Sequence, residues 1–162
     1  MRRAQSFPLR FSARRRLFLG GAVLALVAAL QALGSPALAD EATPAFRVVV
    51  HPNNSLRSVE RSFLADAFLK KITRWGEGEA IRPADLRPAV DARRAFTERV
   101  LKRSVGAVRS YWQQRIFSGR DVPPPELDSD DDVVAFVAKY PGAVGYVSGS
   151  AKLKGVKELL IK

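Results

Sequence analysis

Residues 136–147 read Phe136-Val137-Ala138-Lys139-Tyr140-Pro141-Gly142-Ala143-Val144-Gly145-Tyr146-Val147. Pro141 and Gly142 stop a periodic apolar segment, because proline cannot continue a helix and glycine accepts the left-handed turn that ends one. Ala143 to Val147 then begin a buried strand, and the glycines beside and within it permit close approach of a neighbouring backbone or side chain. A helix that feeds directly into a glycine-containing strand is the grammar of an α/β layer. This stretch therefore sets the fold class.

Upstream of it, Ser129 followed by Asp130-Asp131-Asp132 predicts the start of the same helix, with Val133, Val134, Phe136 and Val137 turned to the core. Downstream, a turn rich in Gly, Ser and Lys leads to a second strand, Val156–Ile161. Further back, Phe46–Val50 is a strand closed by His51-Pro52-Asn53-Asn54. Phe63, Leu64, Ala67, Phe68 and Ile72 recur at helical spacing, so a helix capped by Ser62 runs to about Lys71, and Trp75 packs where Gly76 and Gly78 break the pattern. Ile81–Val90, interrupted by Pro83 and Pro88, reads as a short edge strand or an extended loop. Two helices follow Asp91, one with Phe96, Val100 and Leu101, the next capped by Ser104 and carrying Val105, Val108, Tyr111, Trp112, Ile116 and Phe117 inward. Gly119–Pro125 is a proline-stiffened loop. The order strand–helix–strand–helix–helix–helix–strand–strand argues for an α/β sandwich.

Residues 1–39 stand apart from this domain, which occupies 40–162. Arg14, Arg15 and Arg16 precede an apolar run from Leu17 to Leu33, and Ala37-Leu38-Ala39 fits a small-x-small cleavage pattern, so the segment reads as a signal peptide cut near Ala39. Arg15-Arg16-Leu17-Phe18-Leu19 fits the core of a twin-arginine signal; a general-secretion signal with adjacent arginines fits as well, and both export the chain. Left uncleaved, the leader would instead be a membrane anchor. Six of the 27 basic residues fall in 1–39, which leaves 21 against 16 acids, a net charge of about +5 in place of +11. A charge that small gives no reason to expect a nucleic-acid partner. There is no cysteine, so stability rests on packing alone.

Three segments resemble one family in the same order. Val48-Val49-Val50-His51-Pro52-Asn53 resembles its "vvvNP.N" strand and turn. Ala67-Phe68-Leu69-Lys70-Lys71-Ile72-Thr73-Arg74-Trp75 resembles its "IFLGKITxW" helix end, and Tyr140 to Val147 its "tPGAIGYV" close. The family is the substrate-binding proteins of phosphate ABC transporters. The resemblance implies a single three-layer α/β lobe similar to a type 2 periplasmic binding protein domain. It also implies a periplasmic, non-enzymatic role, with phosphate or a related oxyanion and an ABC permease or another periplasmic protein as partners. The family's anion loop, "DGSGT", corresponds here to Asp91-Ala92-Arg93-Arg94-Ala95-Phe96-Thr97, of which only Asp91 and Thr97 carry over, and Lys70 replaces the helix-end glycine.

Two groups of residues are thus candidate anion contacts. Asn53, Asn54 and Ser55 follow a strand end, where α/β sheets place ligands, although a turn that needs Asx chemistry has the same composition. Arg93 and Arg94 join Asp91 and Thr97 at the head of a basic segment; residues 82–120 hold ten basic side chains against Asp85, Asp91 and Glu98. Arginines can grip an oxyanion in two-point fashion, and a solvated helix face would look the same. Asp130, Asp131 and Asp132 lack the spacing of a calcium loop and read as capping. His51, the one histidine, has no nucleophile elbow beside it, so no catalytic set, metal site or cofactor is expected. A lobe that keeps the fold as a protein–protein interaction module without ligand is the alternative reading.

Overall fold

The computed structural model describes residues 43–76 and 78–162; the signal peptide expected at 1–39 lies outside the described residues. Strand β6 (Ala143–Ser148) is its axis, buried from Ala143 through Val147 as the opening stretch requires. It pairs antiparallel with β1 (Phe46–Val50), setting Val48 opposite Tyr146 and Val49 opposite Gly145. On its other side β1 pairs antiparallel with β7 (Lys157–Ile161), so Val48 also faces Leu159. Two-residue strands β2 (Ser58–Val59) and β3 (Arg82–Pro83) lie parallel to β7 and β6 and complete a mixed sheet of order β2-β7-β1-β6-β3. Edges this short, one containing a proline, offer little free ladder to another chain.

Helices cover both faces. Alternation along the strands puts Val48, Tyr146 and Leu159 on one face and Val49, Gly145 and Glu158 on the other. Against the second face packs α4 (Asp130–Lys139), and Gly145 is why it can come so near: a Cβ there would stand 2.6 Å from Val133 Cγ1 and 3.3 Å from Val137 Cγ2. Against the first face pack α1 (Arg61–Phe68) and α2 (Asp91–Arg99). Phe96 stacks on Tyr146 with ring centroids 3.9 Å apart, and Phe68 sits 4.6 Å from Phe96. Helix α3 (Val105–Phe117) lies against α2. The expected helix–sheet–helix lobe is the observed one.

Two helices start on serine caps: Ser104 Oγ accepts from Ala107 N–H at 3.2 Å, and Ser129 Oγ from Asp132 N–H at 3.2 Å. Asp130 also accepts from Ser148 N–H at 2.9 Å, so the acidic triplet holds a helix start and the end of β6.

Four details differ from the sequence reading. Helix α1 begins one residue before Ser62, with no side-chain cap at Glu60; the Arg61 N–H instead donates to the Lys162 carbonyl at 3.0 Å, a partner no local motif announces. It ends at Phe68 and not near Lys71, because Lys70 takes a left-handed φ of +53° and the Lys71 and Ile72 N–H groups turn back onto Asp66 O. The segment 81–90 carries two strands, β3 and β4 (Asp85–Leu86), and β4 leaves the main sheet to pair in parallel with β5 (Glu126–Leu127). Burial along α3 stops at Trp112, so Ile116 and Phe117, expected inward, are 49% and 89% exposed.

Candidate functional site

The strand end at Val50 leads into His51, which is nearly buried and whose N–H donates to Ala143 O at 3.3 Å. The chain then turns: Asn54 N–H donates to His51 O at 2.9 Å, and Asn53 N–H to His51 Nδ1 at 3.2 Å. Asn54 Oδ1 accepts from Leu56 N–H at 2.9 Å, an Asx turn, and Asn54 O receives the Lys157 ammonium. Asn53, Asn54 and Ser55 line one wall of a cleft of about 400 Å³. Its other wall is Trp75, Gly76, Gly78 and Glu79.

That second wall is pinned in three places. Trp75 N–H donates to Glu79 O at 3.0 Å, closing a tight loop in which Gly76 has φ +55°. The Trp75 indole Nε1–H donates to Gly142 O at 2.9 Å, and its ring leans on Phe63 at 5.7 Å. Gly142 O also accepts from Arg82 N–H at 3.0 Å, while Ala143 O holds the His51 N–H. Both walls therefore hang on two successive carbonyls at the mouth of β6. Chemically the cleft offers amide and hydroxyl groups and an indole edge, with the Glu79 carboxylate on the facing wall.

The other candidates are divided between the surface and the interior. Asp91 and Arg94, on the first turn of α2, are exposed and pair with each other at 3.0 Å. Arg93 points inward and is 4% exposed. Its guanidinium forms an ion pair with Asp85, itself buried, and donates to Leu86 O at 3.3 Å. Tyr146 completes the network: its hydroxyl donates to Asp85 and accepts from Leu86 N–H at 3.2 Å. Burial pushes the Tyr146 hydroxyl up to about 12, although the Arg93 charge and the Leu86 N–H pull the other way. Thr97 is fully buried, and its hydroxyl has no hydrogen-bond partner among the described residues.

Of the seven candidates, then, Asn53, Asn54 and Ser55 share a cleft, which Asp91, Arg93, Arg94 and Thr97 do not line. Asp85 and Tyr146 were not singled out from the sequence, and no local pattern marks them. Trp75 was read only as packing, yet it forms the wall that faces Asn53.

The backbone arrangement has known counterparts. A phosphate ABC transporter substrate-binding protein from Clostridium perfringens, solved with phosphate bound, superposes with a TM-score of 0.57 at 20% identity, over 72% of this chain and 44% of that one. The fold is that of one substrate-binding lobe. An ABC-type phosphate transport receptor from Vibrio cholerae matches the lobe with a TM-score of 0.56 at 20% identity, over 72% of this chain and 46% of the receptor. PstS from Borrelia burgdorferi matches it at 0.55 and 12% identity, over 73% and 47%. The lobe thus spans less than half the length of each of these chains. Its sequence matches no protein-family profile and no curated protein. Among the described residues, no helix is long and apolar enough to cross a membrane.

Proposed function

We propose that this chain is an exported, non-enzymatic substrate-binding-like protein that holds phosphate or a related oxyanion in the periplasm as an accessory to ABC transport. The observation that supports this reading best is the lobe itself, shared over 72% of the chain with a structure that contains phosphate. In this proposal the leader is removed near Ala39. One contact for the anion is Asn53, Asn54 and Ser55 in the cleft; a separate one, outside that cleft, is Arg94 at the start of α2, where Asp91 must give up its pairing. Arg93 and Thr97 act from beneath, holding α2 in place. A single lobe covers half of a ligand, so binding is weak unless a second chain closes over it.

A second reading keeps the fold and drops the ligand, leaving a protein–protein interaction module. One observation favours it: the Arg93 charge that could meet an oxyanion is already neutralised by Asp85, and no glycine frees the α2 amides. Isothermal titration of the protein with phosphate and with sulfate separates the two. Saturable heat at millimolar phosphate is expected from the first reading. No heat with either anion removes the ligand and leaves the interaction module.

A further inference from the structure

A second cleft, of about 540 Å³, opens between α2 and α3 and is lined by residues that the first one does not use. Trp112, Ile116 and Pro123 give it an apolar wall, and Arg93, Arg109 and Gln113 give it donors. Trp112 is 6% exposed and forms a fixed floor, whereas Ile116 is half open to solvent. Arg109 and Gln113 are exposed on the same helix face, one turn apart. The one carboxylate in the lining, that of Glu126, stands 3.9 Å from Arg93 Nη2 and so beyond hydrogen-bond reach; the Arg93 charge is met by Asp85 behind it, whereas Arg109 forms no ion pair among the described residues. The buried Arg93 Nε–H has no acceptor among the described residues. Donor capacity is therefore left over next to an aromatic and aliphatic surface, in a volume within the range of small-molecule sites.

We propose that this cleft binds a small organic anion: a carboxylate or phosphate ester head on an aromatic or branched apolar body. The head meets Arg109 and Gln113 and takes the edge of Arg93 that Glu126 only approaches; the body lies on Trp112 and against Ile116 and Pro123. Inorganic phosphate meets the donors but leaves the apolar wall wet, and a neutral ring meets the wall but leaves the Arg109 guanidinium without an anionic partner. Neither alone satisfies the cleft. The proposal is independent of oxyanion binding at Asn53–Ser55.

The chain has two tryptophans, and each cleft contains one. In the full, nitrogen-15-labelled chain the two indole N–H signals therefore report on the two clefts separately, with Trp75→Phe assigning them. Phenyl phosphate should move the Trp112 signal saturably at millimolar concentration or below, and benzyl alcohol should bind at least about tenfold more weakly. Inorganic phosphate should leave Trp112 in place, whatever it does to Trp75. Arg93→Gln is a poor probe because it leaves Asp85 buried without its charge partner, so the test rests on exposed Arg109. Arg109→Gln should weaken phenyl phosphate by about tenfold, the loss of one charge-assisted contact. A Trp112 signal that stays still up to ~10 mM phenyl phosphate overturns the proposal. Unchanged affinity in Arg109→Gln overturns it too, as does a shift by inorganic phosphate equal to that by phenyl phosphate.

Discussion

Arg93 and Arg94 are neighbours on the same helical turn and meet opposite fates. Arg94 stands in water and pairs loosely with Asp91, whose side chain is also in water. Arg93 is enclosed by Asp85, Leu86 and Tyr146 and serves as part of the frame. A run of like charges thus hides two kinds of residue, and burial tells which one carries a charge already met inside the fold. The energetic consequence follows from desolvation: a charge in water costs little to lose, and a charge in the interior becomes a liability once its partner is gone.

The comparison breaks most visibly at Asp85. Asp85→Asn keeps the shape and leaves Arg93 as an uncompensated interior charge, so a loss of roughly 3–5 kcal/mol is expected in urea unfolding near neutral pH. A loss below about 1 kcal/mol would show that water reaches the pair. The next effect is alkaline. The Tyr146 pKa is raised above the ordinary value of a phenol, so its neutral form favours the folded chain. Its contribution is whole below about pH 10 and disappears as pH rises toward 12, and a shift of that size corresponds to roughly 3 kcal/mol. Unfolding midpoints measured from pH 9 to 12 should show the decline, and Tyr146→Phe should remove that component. Absorbance should show a late phenol ionisation that Tyr146→Phe removes. The smallest effect is on the solvent side, where Arg94→Ala and Asn53→Ala should each change stability by no more than about 0.5 kcal/mol. The same two substitutions should reduce the heat of phosphate binding, and an unaltered titration would take both residues out of the proposed site.

The elements that sequence revealed are those written in local chemistry. The Ser104 and Ser129 caps and the Pro141-Gly142 stop each act within a few residues of their cause, and Val133 and Val137 face the core at helical spacing. What escaped was set by distant partners. Strands β2 and β5 have two residues each, too few for alternation to register, and exist because β7 and β4 lie beside them. Helix α1 stops early because Lys70 accepts a conformation that L-residues usually avoid, held in part by an ion pair with Asp121 at 3.1 Å. Arg93 looked like its neighbours because its carboxylate partner sits in a proline-broken segment, and the Tyr146 that shares it is 61 residues further along. For the cleft, the strand-end rule located one wall through Asn53–Ser55; the facing wall required knowing that the Trp75 indole reaches Gly142.

That indole bond and its two companions at Gly142 and Ala143 have a mechanical meaning. Two successive peptide units at the mouth of the central strand act as a common anchor for both sides of the opening, so the gap cannot widen without breaking bonds to the centre of the lobe. The slot has a preset gauge, fixed by those bonds. Gly142, with φ +76° and only 2.2 Å between a would-be Cβ and Ala80 O, is the residue at which a single methyl group would put that gauge out of true.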